Sequence, residues 1–156
     1  MPKRGDIITF EESSKLSYKA EEVDLSNPVA QYTNEPTSLM GKFKYYVLEW
    51  GKRSYIKRVI ALPGEYVEIK DGKVYIDGKE LDESAYLQDS VVTEAGVNGV
   101  FTDFIVPEGC VFAMGDNRPG SGDCRRFGCI PVEKIEGTVV RRFWPLNKIG
   151  TIKKAE

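Results

Sequence analysis

Two Asp-Gly dipeptides, Asp71-Gly72 and Asp77-Gly78, punctuate the middle of the chain, each between short segments that alternate apolar and polar residues. Asp-Gly is a favoured two-residue hairpin turn, because both central residues must take positive φ. Tyr66-Val67-Glu68-Ile69-Lys70 leads into the first turn, Lys73-Val74-Tyr75-Ile76 joins the two, and Lys79-Glu80-Leu81 leaves the second. This predicts a meander of short antiparallel strands. Asp6 to Phe10, Phe43 to Trp50, Ser54 to Leu62, Phe101 to Val106, Cys110 to Met114 and Gly137 to Trp144 also read as strands, on their β-branched and aromatic content. Pro63-Gly64 ends the third of these and Pro145 the last. Residues 11–42 are polar and broken by Asn27-Pro28 and Glu35-Pro36, so they predict a surface insertion. Residues 84–99 are less regular, Pro119 to Gly128 reads as a loop, and Pro131 to Ile135 as one helical turn. With helical periodicity nearly absent, the expected fold is all-β. It consists of antiparallel sheets with one or two short helical turns. The expected organisation is one domain over residues 1–156, with the insertion at about 11–42 and a β-hairpin extension at about 66–106.

The chemistry open to such a chain is narrowed by what it lacks. There is no histidine among the 156 residues, which removes Ser-His-Asp and Cys-His catalysis and the histidine zinc sites. Acid-base work falls to Lys, Asp, Glu, Tyr or Cys. The balance of 22 basic against 24 acidic residues excludes the basic excess that nucleic-acid binding requires. Three cysteines, Cys110, Cys124 and Cys129, cannot fill a four-ligand zinc site alone, and no metal or cofactor is expected. Cys124 and Cys129 are close enough to bridge, and free, partly buried thiols fit equally well. No apolar run approaches the ~20 residues of a bilayer span. Met1-Pro2-Lys3-Arg4 runs straight into a strand, which predicts that sequence upstream has been removed.

Two segments concentrate polar chemistry. In Ser54-Tyr55-Ile56-Lys57-Arg58-Val59-Ile60-Ala61-Leu62, strand alternation puts Lys57 on one face with Tyr55, Val59 and Ala61. An ammonium on an apolar face is costly unless its head reaches water at the sheet edge. The second segment, Met114 to Gly128, gathers acids, arginines, a serine and several glycines after a strand. It suits either a tight polar network or a solvated loop whose ion pairs contribute little.

Tyr55 to Glu65 (Tyr-Ile-Lys-Arg-Val-Ile-Ala-Leu-Pro-Gly-Glu) closely resembles the lysine box of bacterial type I signal peptidases. Gly115-Asp116-Asn117-Arg118 followed by Ser121, Asp123, Arg125 and Gly128 resembles that family's C-terminal box, and Gly5-Asp6-Ile7-Ile8 the short box after the nucleophile. Order and spacing agree, and the resemblance covers most of the chain outside 11–42 and about 82–100. It implies a Ser-Lys dyad on a β scaffold, with Lys57 as general base and a serine attacking the scissile carbonyl to give an acyl-enzyme. An ordinary lysine titrates near ~10.4, so about one in a thousand is neutral near neutral pH, and burial is what lowers that value. By the same resemblance Ser121 hydrogen-bonds the Lys57 amine, and Asp123 pairs with Arg125 and with Arg58. Ser54, Tyr55 and Ile56 line a cleft that pairs with an extended substrate strand. Gly5, Asp6, Gly115, Asp116, Asn117, Arg118 and Gly128 shape the motifs. The implied substrates are signal peptides of exported preproteins, cut at Ala-x-Ala sites, by an enzyme held in the cell membrane with its catalytic domain outside the cytoplasm.

The sequence departs from that pattern in places. The family's serine box lies a few residues before Gly-Asp, and here only Met1-Pro2-Lys3-Arg4 precedes Gly5-Asp6. The serine and the membrane anchor are therefore expected upstream, and the chain alone is expected to be inactive. Cys124 stands where a serine is usual, and a Cys124–Cys129 bridge would suit an extracytoplasmic location. The short interval between the two boxes resembles Gram-positive members. Competing readings are a non-catalytic relative acting with pilus components on the cell surface, a self-cleaving repressor for which Ala95-Gly96 lies on the wrong side of Lys57, and a β binding module without chemistry.

Overall fold

The computed structural model describes residues 1–156 except 17, 20–21, 34–35, 49–52, 97–98, 143–149 and 152–156. Its main sheet is built from β1 (Ile7–Glu11), β2 (Ser54–Ala61), β7 (Cys110–Met114), β8 (Ile130–Pro131) and β9 (Ile135–Val139), in the order β8-β7-β2-β1-β9 with antiparallel neighbours. The second sheet holds β3 (Tyr66–Lys70), β4 (Lys73–Ile76), β5 (Lys79–Glu80) and β6 (Asp103–Ile105), in the order β5-β4-β3-β6. Both Asp-Gly turns form as expected: φ is 52° at Asp71 and Asp77, 77° at Gly72 and 76° at Gly78. Positive φ at both central residues matches the right-handed strand twist.

The two sheets share one apolar core. Val67, Val74 and Phe104 of the second sheet pack with Val59, Val111 and Phe112 of the first. The Phe104 and Phe112 rings meet edge to face at 5.0 Å. All five residues of β7 are buried, so this strand lies at the centre of the molecule and reads as a continuous apolar run.

Three local expectations are corrected. The strand expected over Phe43 to Trp50 is instead a helix, α1 (Leu39–Tyr46); residues 49–50 lie outside the described residues. Ser38 caps it by accepting from the Gly41 amide at 3.1 Å, and Leu39, Met40, Lys42 and Lys44 are helix formers. Among the described residues no strand lies beside it to reward the β-branched and aromatic residues. Within the expected loop, Cys124–Phe127 form a helical turn, α2, capped by Asp123. The final strand is two pieces, β9 and β10 (Arg141–Arg142), the latter paired with β11 (Gly150–Thr151); residues 143 and 144 lie outside the described residues. The helical turn after Pro131 is present as a 3-10 turn, Val132–Lys134. The insertion after β1 is partly internal: Ser13, Tyr18 and Ala30 are buried, and Val29 bridges to Cys129.

Candidate active site

β2 brings the lysine box into the middle of the main sheet. Its register sets Lys57 opposite Ile8 and Tyr55 opposite Phe10, so these four share a face. Ile8 and Phe10 are fully buried, and Tyr55 stacks on Phe127 at 6.2 Å. Lys57 is half-buried, and its Nζ stands 5.3 Å from the centroid of the Tyr55 ring. Burial pushes the Tyr55 phenol above its ordinary pKa, assisted by its hydrogen bond to Glu12 at 2.8 Å. The phenol therefore stays a neutral donor at physiological pH.

The loop after β7 closes over this lysine. A Cβ added at Gly115 would fall 2.1 Å from Ser121 Oγ and 3.7 Å from Lys57 Cδ. Only glycine lets the loop backbone come this close to the Ser121 side chain, while the distance to Lys57 is an ordinary contact. Ser121 Oγ is buried with no hydrogen-bond partner, so the bond to the Lys57 amine expected from the resemblance is not made. The amine instead leans over the Tyr55 ring.

Asp123 and Arg125 form the ion pair expected of them. Arg125 Nε and Nη2 each donate to the carboxylate at 2.8 Å, with side-chain exposures of 1% and 0%. Asp123 also accepts from the Gly115 amide at 3.0 Å and from the Arg125 amide at 3.2 Å. Its lone pairs are then fully used.

The further expectation that Asp123 pairs with Arg58 is corrected. Strand alternation turns Arg58 to the opposite face of β2 from Lys57, where it meets Asp116 through two bonds of 2.9 and 2.8 Å. Arg58 also donates to the Gly5 carbonyl at 3.0 Å. One buried guanidinium thus ties together the segment entering β1, the lysine strand and the start of the C-terminal box.

The other motif residues shape this frame. Asp6 is buried and its side chain accepts from the Lys3 amide at 2.9 Å, while its carbonyl accepts from the Val59 amide and the Val59 carbonyl accepts from Gly5. Asn117 turns the loop, its carbonyl accepting from Gly120. Gly128 ends α2, its amide reaching the Cys124 carbonyl at 2.9 Å. Arg118 is fully buried; it donates to the Gly115 carbonyl, to Thr93 Oγ1 at 2.6 Å and to both oxygens of Glu83. Glu83, Tyr86, Thr93 and Glu94, which hold the arginines of the site, come from the irregular stretch that sequence reasoning passed over. No local pattern distinguishes them from surface polar residues.

Of the expected cleft residues, Ser54 and Ile56 are exposed and Tyr55 is half-buried. Ser54 Oγ donates to Glu136 at 2.8 Å. β7 pairs with β2 only from Arg58 onward, so among the described residues the opposite edge of Ser54–Lys57 has no strand partner. The three cysteines are free and buried, which decides between the two thiol states left open by the sequence.

A sheet-borne lysine lies under a close-packed glycine loop on this strand order, and comparison with known proteins supplies the class. The family model for signal peptidase, peptidase S26, matches residues 1–144, and the chain belongs to that family. It is 38% identical over 107 residues to a signal peptidase I of Bacillus caldolyticus, a match covering 64% of this chain and 58% of that protein. It is 33% identical over 151 residues to a signal peptidase I of Leptolyngbya laminosa, covering 97% of this chain and 57% of the relative. The chain thus spans little more than half the length of these relatives. The crystal structure of a signal peptidase I from Enterococcus faecalis V583 superposes with a TM-score of 0.50 at 29% identity, covering 89% of this chain and 97% of that one.

Proposed function

We propose that this chain is the catalytic domain of a membrane-associated serine endopeptidase that removes signal peptides from exported preproteins at Ala-x-Ala sites. The observation that carries the reading is the open edge of Ser54–Lys57 beside a half-buried lysine. An extended substrate adds a strand to that edge, and its side chains then alternate between the face that carries Tyr55 and Lys57 and the face that carries Ile56.

The nucleophile this reading calls for is a serine placed by the family resemblance just ahead of Gly5-Asp6. Its Oγ attacks the scissile carbonyl carbon while its proton passes to Lys57 Nζ. The C–N bond then breaks and Lys57 returns the proton to the leaving amine. Lys57 Nζ then takes a proton from water as the water attacks the ester carbonyl; the ester C–O bond breaks and Lys57 returns the proton to the serine Oγ. Among the described residues no carboxylate is paired with Lys57. Gly115, Ser121 and the Asp123–Arg125 pair fix the loop against the lysine stem.

Membrane association draws support from α1. Leu39, Met40, Phe43, Val47 and Leu48 are all more than half exposed, with Lys42 and Lys44 among them. An apolar helix face with basic neighbours suits an anionic lipid surface. Tyr45 on α1 donates to Glu11 at the end of β1, which ties this helix to the main sheet.

The test uses the full-length protein and a labelled Ala-x-Ala peptide. Lys57→Ala should abolish cleavage while leaving the circular dichroism spectrum unchanged. Cleavage at the wild-type rate by that variant would remove Lys57 from the mechanism.

A further inference from the structure

The chain between the two boxes leaves the second sheet after β5 and returns at β6, and on the way it touches every arginine of the site. Tyr86 lays its ring under Arg58, with the guanidinium carbon 4.1 Å from the centroid. The Tyr86 hydroxyl donates to Glu83 at 2.7 Å. Glu83 in turn takes both arms of the buried Arg118, whose Nη1 also donates to Thr93 and whose Nε donates to the Gly115 carbonyl. Arg125 Nη2 donates to the Arg118 carbonyl at 2.7 Å, and Nη1 to the Glu94 carbonyl at 2.8 Å. The Arg125 carbonyl accepts from the amides of Val100 and Phe101.

We propose that residues 83–94 act as a strap that positions the two halves of the reaction centre, with Tyr86 and Glu83 as positioning residues. This rests on the peptidase reading above and deepens it. The strap touches no reacting atom. Its leverage comes from Arg58, which holds both the Gly5 carbonyl, on the segment that leads in from the nucleophile, and Asp116, at the start of the loop over Lys57. With the Tyr86 ring in place, Arg58 has a cation–π floor and one orientation. Without it, the guanidinium gains freedom, and Gly5 and Gly115 lose their common reference. The Glu83–Arg118 pair holds the same loop from its far side. Burial and Glu83 keep the Tyr86 phenol well above its ordinary pKa, so the link is insensitive to physiological pH.

A cation–π floor of this kind, removed from a half-buried site, corresponds to a rate loss of about tenfold when it acts on geometry alone. In the full-length protein, Tyr86→Leu should therefore lower kcat about tenfold with KM within twofold, because the substrate edge is untouched. Tyr86→Phe, which keeps the ring, should restore most of the rate. In the 156-residue chain, Tyr86→Leu should shift the NMR amide signals of Gly5 and Gly115, and Tyr86→Phe should shift them less. If Tyr86→Leu fails to fold, Thr93→Val replaces it, since it removes a single bond to Arg118; a several-fold loss in kcat is expected. A kcat within twofold of wild type for the leucine variant, or a loss that only tracks its unfolded fraction, overturns the strap. Should Lys57→Ala cleave normally, the peptidase reading fails instead, and unmoved Gly5 and Gly115 signals in Tyr86→Leu would then overturn the strap on their own.

Discussion

Replacing Asp123 by alanine should be among the most damaging single changes in the chain. The carboxylate is fully buried, and its partner Arg125 is 1% exposed. Removing one member of a buried pair leaves the other charge uncompensated, which costs about 3–5 kcal/mol. The same carboxylate caps α2 through the Arg125 amide, a contribution of about 1 kcal/mol. Arg125 keeps its bonds to the carbonyls of Arg118 and Glu94, which offsets part of the loss. The terms overlap, and about 4 kcal/mol is expected in total. Against a domain stability of about 5–15 kcal/mol this brings the fold close to failure. Urea unfolding of the 156-residue chain at pH 7, followed by circular dichroism and intrinsic fluorescence together, measures it. The melting temperature should fall by about 8–16 °C. Asp123→Asn, which keeps an acceptor for the cap, should cost less than alanine. Lys73→Ala, which breaks the exposed pair with Glu80, should leave the unfolding curve unchanged. A loss below about 1.5 kcal/mol for Asp123→Ala would mean that water reaches the pair, and the buried-clamp argument would fail.

Two further outcomes follow from packing and burial. Gly115→Ala drives a methyl into Ser121 Oγ at 2.1 Å and Ser121 Cβ at 2.7 Å, so thermal melting should show a loss of about 1–3 kcal/mol, and the loop should lift from Lys57. Burial raises the thiol pKa of Cys124 and Cys129, so a thiol reagent at pH 8 should label neither until urea is added. A raised folded pKa means that the contribution of these thiols to stability is complete below their unfolded value of 9.0 and is lost as pH rises beyond it. Unfolding midpoints should therefore fall from about pH 9 upward, and a flat profile to pH 11 would count against deep burial.

Much of the architecture was legible because it rests on local rules. The Asp-Gly turns demand positive φ, and the structure supplies it at all four residues. β7 announced itself as Cys110 to Met114, since a fully buried strand must be continuously apolar. The box residues were legible from their resemblance, and Lys57 does share a face with Tyr55, as period-two alternation requires. The reading failed where tertiary context overrides propensity. Phe43, Tyr45 and Tyr46 are good strand formers, but they follow a serine cap and, among the described residues, have no strand beside them, so they are helical.

By itself, then, the sequence determined the β character, the hairpin register, the absence of histidine chemistry and the family, because turn geometry, alternation and motif order are properties of neighbouring residues. Only the tertiary structure decided which charges meet. Arg58 and Asp123 stand in adjacent boxes, yet they lie apart because one residue of strand alternation turns Arg58 to the other face, toward Asp116. Glu83, Tyr86 and Thr93 carry no local signal, and they matter because the chain folds back to lay them against two buried arginines, Arg118 and Arg58. Buried guanidinium groups must find partners, and where those partners come from is set by the path of the chain through space.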